Sequence, residues 1–209
     1  MELLTSVILG LVAIALGIAL IFYAFRGRQS QARRSPKFRG RPYMVFTIPE
    51  GLHQDLNPLA WLVGTWRGKG RGEYPTIEGF EFAHEVVFNH DGRNFLNYFS
   101  RSWILDADGE IVRPGASEVG FWRVQPNNVL EVLISHSTGI TEGWVGTFDG
   151  PKIQLVMDQG YSAPSAKIVT AGVRLYGLVA GELFYAYDMA AEGHELQAHV
   201  WSSLPRSAE

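Results

Sequence analysis

At 209 residues the chain has room for one sizeable domain rather than two, and its 46% hydrophobic and 19% charged residues set aside a disordered or coiled-coil chain. It contains no cysteine, which excludes disulfides, thiolate metal sites, iron–sulfur clusters and cysteine nucleophiles. The net charge of −3 conceals an asymmetry: seven Lys/Arg and no acid lie between Arg26 and Arg41, whereas residues 42–209 hold 11 Lys/Arg against 20 Asp/Glu, a balance that argues against nucleic acid as a partner.

Leu3 to Phe25 is a run of 23 residues without a formal charge. As a helix it would extend roughly 34 Å at ~1.5 Å per residue, enough for the ~30 Å hydrocarbon core of a bilayer. A cleaved signal peptide is the competing reading, but Glu2 stands at its start, the run is long, and Phe25-Arg-Gly-Arg28 follows it rather than a small-residue cleavage site. The expectation is therefore one transmembrane helix in residues 1–26. Because the basic run lies C-terminal to it, the protein is expected to be a single-pass membrane protein with its remainder on the cytoplasmic side. Residues 27–56 read as a basic linker and entry segment, the first part of it a flexible tether.

From about Asn57 onward the apolar residues recur with period two, and turn signals come about every ten residues. Trp66, Gly68, Gly70 and Gly72 alternate with charged residues. Phe80, Phe82, His84, Val86 and Phe88 share one face of the next strand. After His90-Asp-Gly-Arg93 a strand runs over 95–105, and further strands are predicted near 118–124, 129–135, 141–148, 152–158, 166–177, 183–190 and 195–204. Asp106 and Asp108 sit at a turn, where Asp is expected for local hydrogen bonding. About ten strands joined by short turns pair antiparallel, and closure removes their edges. The expected fold is all-β: a ten-stranded antiparallel up-and-down barrel over 57–206, of the lipocalin or fatty-acid-binding type, with a β-sandwich as the alternative. A barrel of this size can hold one small ligand.

The glycines at every second position of 68–72 leave one strand face bare, either for close approach of a flat ligand or to relieve crowding in a coiled barrel strand. The sequence has no Walker A, no G-x-G-x-x-G between strand and helix, no H-E-x-x-H and no G-x-S-x-G elbow. Of the six histidines, His84 reads as a hydrogen-bonded core residue and His136 as the start of a turn. His199 lies within the last strand on the same phase as Trp201. The six show no close ligand spacing for a zinc site, but a single axial histidine suffices for haem iron.

The segment Gly64-Thr-Trp-Arg-Gly-Lys-Gly-Arg-Gly-Glu-Tyr-Pro-Thr-Ile77 closely resembles the G-x-W-x-G-x-G-x-G-x-Y-P-T-I signature of the nitrobindins. The resemblance continues through Glu85–Leu96, Glu118–Arg123, Ser137–Ile140, Ala166-Lys167, Tyr185–Met189 and Leu196-Gln-Ala-His199, and covers roughly 57–206. It makes Gly64, Trp66, Gly68, Gly70 and Gly72 family-motif positions, and the membrane segment an addition to the usual plan. It implies a ferric haem b cofactor, with His199 as the axial iron ligand and Met189, Lys167 and Thr76 as haem-contacting residues. Nitric oxide and peroxynitrite are the implied small-molecule partners, with isomerisation of peroxynitrite to nitrate as the implied activity, the membrane as a partner through the helix, and a homodimer left open. Ala116 stands where many members carry a histidine facing the distal side, a departure that bears on ligand selectivity. Two other readings are a hydrophobic-ligand carrier, with Arg101, Arg123 or Arg174 taking a carboxylate, and a haem sensor or carrier without turnover.

Overall fold

The structure is a computed structural model that describes residues 47–207. The predicted span at Leu3–Phe25 and the basic run lie outside the described residues; among the described residues no helix is long and apolar enough to cross a membrane.

Ten antiparallel strands close into one barrel: β1 (Gly64–Tyr74), β2 (Ile77–Asn89), β3 (Leu96–Leu105), β4 (Ile111–Gln125), β5 (Val129–His136), β6 (Ile140–Asp149), β7 (Lys152–Ser162), β8 (Val169–Val179), β9 (Glu182–Ala191) and β10 (Gln197–Pro205). Each strand pairs with its neighbours in sequence and β10 returns to pair with β1. That closure decides between barrel and sandwich. The turn at Asp106 has the expected chemistry: its Oδ1 accepts the backbone N–H groups of Asp108 and Glu110 at 3.0 and 2.9 Å.

Period two does not begin at Asn57. Gln54–Leu62 is a 3-10 helix, and Leu56, Leu59 and Leu62 are fully buried. Their spacing of three is the repeat of that helix, which presents all three on one face. Burial of each stabilises by roughly 1.5–3 kcal/mol. The helix plugs one end of the barrel: the Trp66 indole donates to Leu62 O at 2.7 Å, and Arg206 donates to Trp61 O at 2.6 Å while lying 4.1 Å over the Trp66 ring. β4 is also longer than the predicted 118–124, because Pro114 and Arg113 continue the ladder against Trp103 and Ile104, whereas β8 starts at Val169 rather than 166.

The bare glycine face makes room for neighbours rather than for a ligand. A Cβ at Gly70 would stand 2.5 Å from both Trp201 O and Phe82 Cζ, one at Gly72 would enter the Phe80 ring, and one at Gly68 would meet Ser203 O. Above the plug, edge-to-face rings fill the barrel: Trp122 meets Phe88 at 5.0 Å and Tyr176 at 4.9 Å. Packing stops short of the other end, which holds a cavity.

Candidate functional site

The cavity measures about 930 Å³, near the upper end of the roughly 300–1,000 Å³ typical of ligand pockets. Thr76, Lys167, Met189 and His199, the four residues singled out for cofactor contact, all line it, although they come from the β1–β2 turn, the segment before β8, and strands β9 and β10.

His199 reaches the cavity by a bulge. In the β9–β10 ladder Ala198 pairs with Asp188 and Val200 with Tyr187, so His199 has no partner of its own. An extra residue of this kind re-aims a side chain. Val200 and His199 both line the cavity, while Trp201 is 40% exposed on the outer surface. The shared phase of His199 and Trp201 expected from alternation is therefore broken at the residue where it matters.

The ring of His199 is set for ligation. Its Nδ1 lies 3.1 Å from the carbonyl oxygen of Glu73, which can only accept, so Nδ1 carries the proton and Nε2 keeps its lone pair. Burial pushes the imidazole pKa down, only partly offset by the Glu73 hydrogen bond, and favours the neutral form that binds metals. Tyr74 and Tyr187 stand edge-on to the ring at 5.4 and 5.9 Å. Among the described residues no group of three His, Cys, Asp or Glu is placed to hold a bare metal ion. Of the three histidines that line the cavity, His84 is held by two serines and His136 lies between two carboxyl groups, whereas His199 keeps Nε2 unspent, which fits haem, whose porphyrin supplies the other four nitrogens.

At the mouth, Glu192 ties two of the expected residues together. Its Oε2 accepts from Lys167 Nζ at 2.8 Å and from Thr76 Oγ1 at 3.0 Å. Met189 lies on β9, partly buried against the core and opposite Gln197 of β10. Ala116 lines the wall with only a methyl group; its backbone N–H and carbonyl are both held by Ser102 Oγ, at 3.0 and 3.2 Å.

Sequence reasoning missed the polar inner end of the cavity. Arg174 is fully buried and donates to both oxygens of Glu118 at 2.9 Å, with Glu142 Oε2 at 3.5 Å. Burial raises the Glu118 pKa, but Arg174 overrides this by charge and hydrogen bonds, with His136 and Tyr98 adding, and holds it well below the usual carboxylate range. His136 does not merely begin a turn: it ends β5 with its side chain mostly covered, Nε2 at 2.9 Å from Glu142 and Nδ1 at 3.4 Å from Glu118. The signal was available, since Glu142, Arg174 and His136 stand on the inward phase of their strands. His84 is the hydrogen-bonded core histidine expected, bridging Ser100 and Ser202 at 2.9 Å each, and burial pushes its pKa down to about 4.

This inner end disfavours a fatty-acid carrier. Arg101 and Arg123 lie outside, paired with Glu85 and Glu131, and the charge of Arg174 is already committed to Glu118. A ligand carboxylate would enter beside two carboxyl groups.

A closed barrel whose cavity receives the His199 imidazole with its Nε2 unspent fits a haem-pocket protein, and comparison with known sequences agrees. Residues 55–206 match the family described as "THAP4-like, heme-binding beta-barrel domain". The chain belongs to that family, and haem is its cofactor. It is 51% identical over 163 residues to a "Peroxynitrite isomerase" of Nocardioides sp., a match that covers 78% of this chain and 99% of the relative. It is 40% identical to a "Ferric nitrobindin-like protein" of Streptomyces coelicolor, over 78% of this chain and 86% of the other. The crystal structure of Rv2717c from M. tuberculosis matches with a TM-score of 0.68 at 40% identity, over 75% of this chain and 99% of that one.

Proposed function

We propose that the barrel holds ferric haem b through His199 Nε2, binds nitric oxide, and isomerises peroxynitrite to nitrate. The observation that carries this reading is the bulged His199, with Nδ1 spent on Glu73 O and Nε2 left toward the 930 Å³ cavity. When bound, ferric haem supplies the Lewis acid for rearranging the peroxynitrite O–O bond. The chain's own residues orient and shield. The Glu73 carbonyl fixes the tautomer, and the Tyr74 and Tyr187 rings hold the imidazole plane. Met189 offers a soft apolar surface. Lys167 and Thr76 at the mouth are suited to the carboxylate edge of the porphyrin.

Haemin titration of the full chain, followed by absorption, tests the cofactor site. A saturable Soret band that is lost or shifted in His199→Ala supports it, and a band unchanged in the variant refutes it. Stopped-flow decay of peroxynitrite with nitrate yield tests the activity; a loaded protein that leaves both unchanged is not an isomerase.

The same reading includes a single-pass anchor at Leu3–Phe25 with the barrel on the cytoplasmic side, supported by the length of the apolar run and the seven basic residues after it. Protease accessibility of the barrel in right-side-out and inverted vesicles tests it. A homodimer is supported by an outer apolar patch on adjacent strands β3–β7, where Phe99, Val119, Phe121, Leu133, Val145 and Val156 are each 43–50% exposed. Light scattering of wild type and Phe121→Glu tests that surface.

A further inference from the structure

A second bulge turns a charged side chain into the same cavity. In the β3–β4 ladder Arg101 pairs with Ser117 and Trp103 with Pro114, so Gly115 and Ala116 together oppose Ser102. Ser102 Oγ accepts from the Ala116 N–H and donates to its carbonyl oxygen, and a Cβ at Gly115 would run into that same hydroxyl. The extra residue changes which side chains face inward. Counted by twos from the inward Glu118, the strand would point Ala116 and Pro114 into the barrel and Arg113 out of it. Past the bulge it is Arg113 that stands opposite Ile104, and both side chains line the cavity.

Arg113 stands at the mouth. β4 begins at Ile111, and Arg113 is exposed where it borders the cavity. Its ladder partner Ile104 and the Glu118 partner Ser100 are four residues apart on β3, roughly 13 Å at ~3.3 Å per residue. That separation exceeds the ~8 Å screening length of physiological salt, so a carboxylate held at Arg113 stays clear of the buried acids at the inner end. Glu78, the further acid that lines the cavity, lies on β2, two strands away.

The charge of Arg113 is unspent. Lys167 and Arg113 are the lysine and the arginine that line the cavity, and Lys167 is paired with Glu192. Arg113 forms no ion pair among the described residues; its guanidinium makes one long contact, at 3.4 Å, to the carbonyl oxygen of the adjacent Pro114. A guanidinium offers a planar fork of N–H donors that matches a carboxylate. Lys167 and Thr76 sit on the β7–β8 segment and the β1–β2 turn, and Arg113 on β4, so the mouth presents donors from two sides. Haem b carries two propionate arms on one edge of an otherwise apolar disc.

We propose that Arg113 is a second carboxylate anchor for haem: it takes one propionate, leaves the other to the Lys167 side, and so fixes the rotation of the porphyrin about the His199 axis. The inference rests on the haem reading of His199.

The test is loss of the porphyrin from the loaded full-length protein to excess apomyoglobin, followed at the Soret band. It is run with ferric protoporphyrin IX and with its dimethyl ester, which has no carboxylate. Arg113→Met should release haem about three- to tenfold faster than wild type, the range of a charge-assisted bond at an exposed mouth. Arg113→Lys, which keeps a point charge without the fork, should lie between them. The ester should leave all three proteins at the same rate. Equal haem release from wild type and Arg113→Met overturns the proposal. So does an equal acceleration for haem and ester, which would make Arg113 a packing residue. Azide binding that weakens in loaded Arg113→Met, with haem release unchanged, assigns the guanidinium to the small ligand and refutes the anchor while leaving haem ligation standing. A wild type without a Soret band overturns the haem reading and the anchor with it. Because Arg113 is exposed, the apo variant should keep the wild-type urea midpoint; if Arg113→Met fails to fold, Arg113→Gln is read in the same way.

Discussion

Replacing Arg174 with methionine isolates the charged pair at the inner end of the cavity. The guanidinium is fully buried, gives two 2.9 Å hydrogen bonds to Glu118, and lies 4.6 and 4.8 Å over the rings of Tyr187 and Trp144. Methionine fills similar volume but leaves Glu118 and Glu142 buried beside each other with only His136 opposite. Breaking one partner of a buried pair costs about 3–5 kcal/mol. At about 2–4 °C per kcal/mol for a domain of this size, the melting temperature should fall by roughly 6–20 °C at neutral pH. The sign of the pH dependence follows from Glu118. In the wild type its pKa is depressed, so its contribution is present above the ordinary carboxylate range and is lost as pH falls. Without Arg174, burial raises that pKa, and the variant can shed the cost by taking up a proton. The two proteins should therefore converge in stability toward about pH 4. Urea unfolding at neutral and acid pH measures both quantities. Adding Glu118→Gln to Arg174→Met should recover most of the loss, because the neutral pair removes the unpaired Glu118 charge and leaves Glu142 with His136. A neutral-pH loss below about 1 kcal/mol, or a gap that does not shrink in acid, would refute this account of the cluster.

Three further outcomes follow from single side chains. Burial holds His84 neutral down to about pH 4, so the unfolded chain takes up a proton that the fold refuses; stability should fall by about 3 kcal/mol between about pH 6.5 and 4, and urea titrations of His84→Gln should show that slope flattened by one proton. Gly70→Ala places a Cβ 2.5 Å from Trp201 O and should cost about 1–3 kcal/mol, whereas Gly79→Ala meets only Gly72 O at 3.8 Å and should stay within about 0.5 kcal/mol in the same melts. Glu192→Gln removes the ionic partner of Lys167 at the mouth; haemin should then bind about two- to fivefold more tightly and with a steeper salt dependence, and an unchanged titration would separate Lys167 from the carboxylate edge of the ligand.

What the sequence discloses here depends on whether a residue obeys the two-residue repeat. The repeat is legible in β2, where Phe82, His84, Val86 and Phe88 all turn inward, and in β6, where Ile140, Glu142 and Trp144 do. An alternating strand has one buried face, and its register follows from that face alone. On the same logic Glu142, Arg174 and His136 could have been read as inward charges, and inward charges must find partners. Reading His136 as a turn residue gave too much weight to Ser137-Thr138-Gly139 after it and too little to Val132 and Ile134 before it. The plug at Gln54–Leu62 was missed because a spacing of three over nine residues is too short to stand out from alternation.

His199 is the opposite case. Strict alternation assigns it to the outer face with Trp201, and no propensity in Gln-Ala-His-Val-Trp marks a bulge. The extra residue is specified by the closed ladder: β9 opposes Ala198 with Asp188 and Val200 with Tyr187, and the intervening residue must be accommodated. It turns inward because the Glu73 carbonyl on the far edge of β1 is free to take its Nδ1–H. Local pattern therefore located the barrel, whereas the ligating side chain depends on the register of β10 against β9 and against β1, which lies at the other end of the barrel sequence. Only the resemblance carried by Leu196-Gln-Ala-His199 could point to it from sequence. The bulge turns that recognition into a physical requirement: without it, strict alternation would carry position 199 to the outer face with Trp201 and leave the cavity without that imidazole.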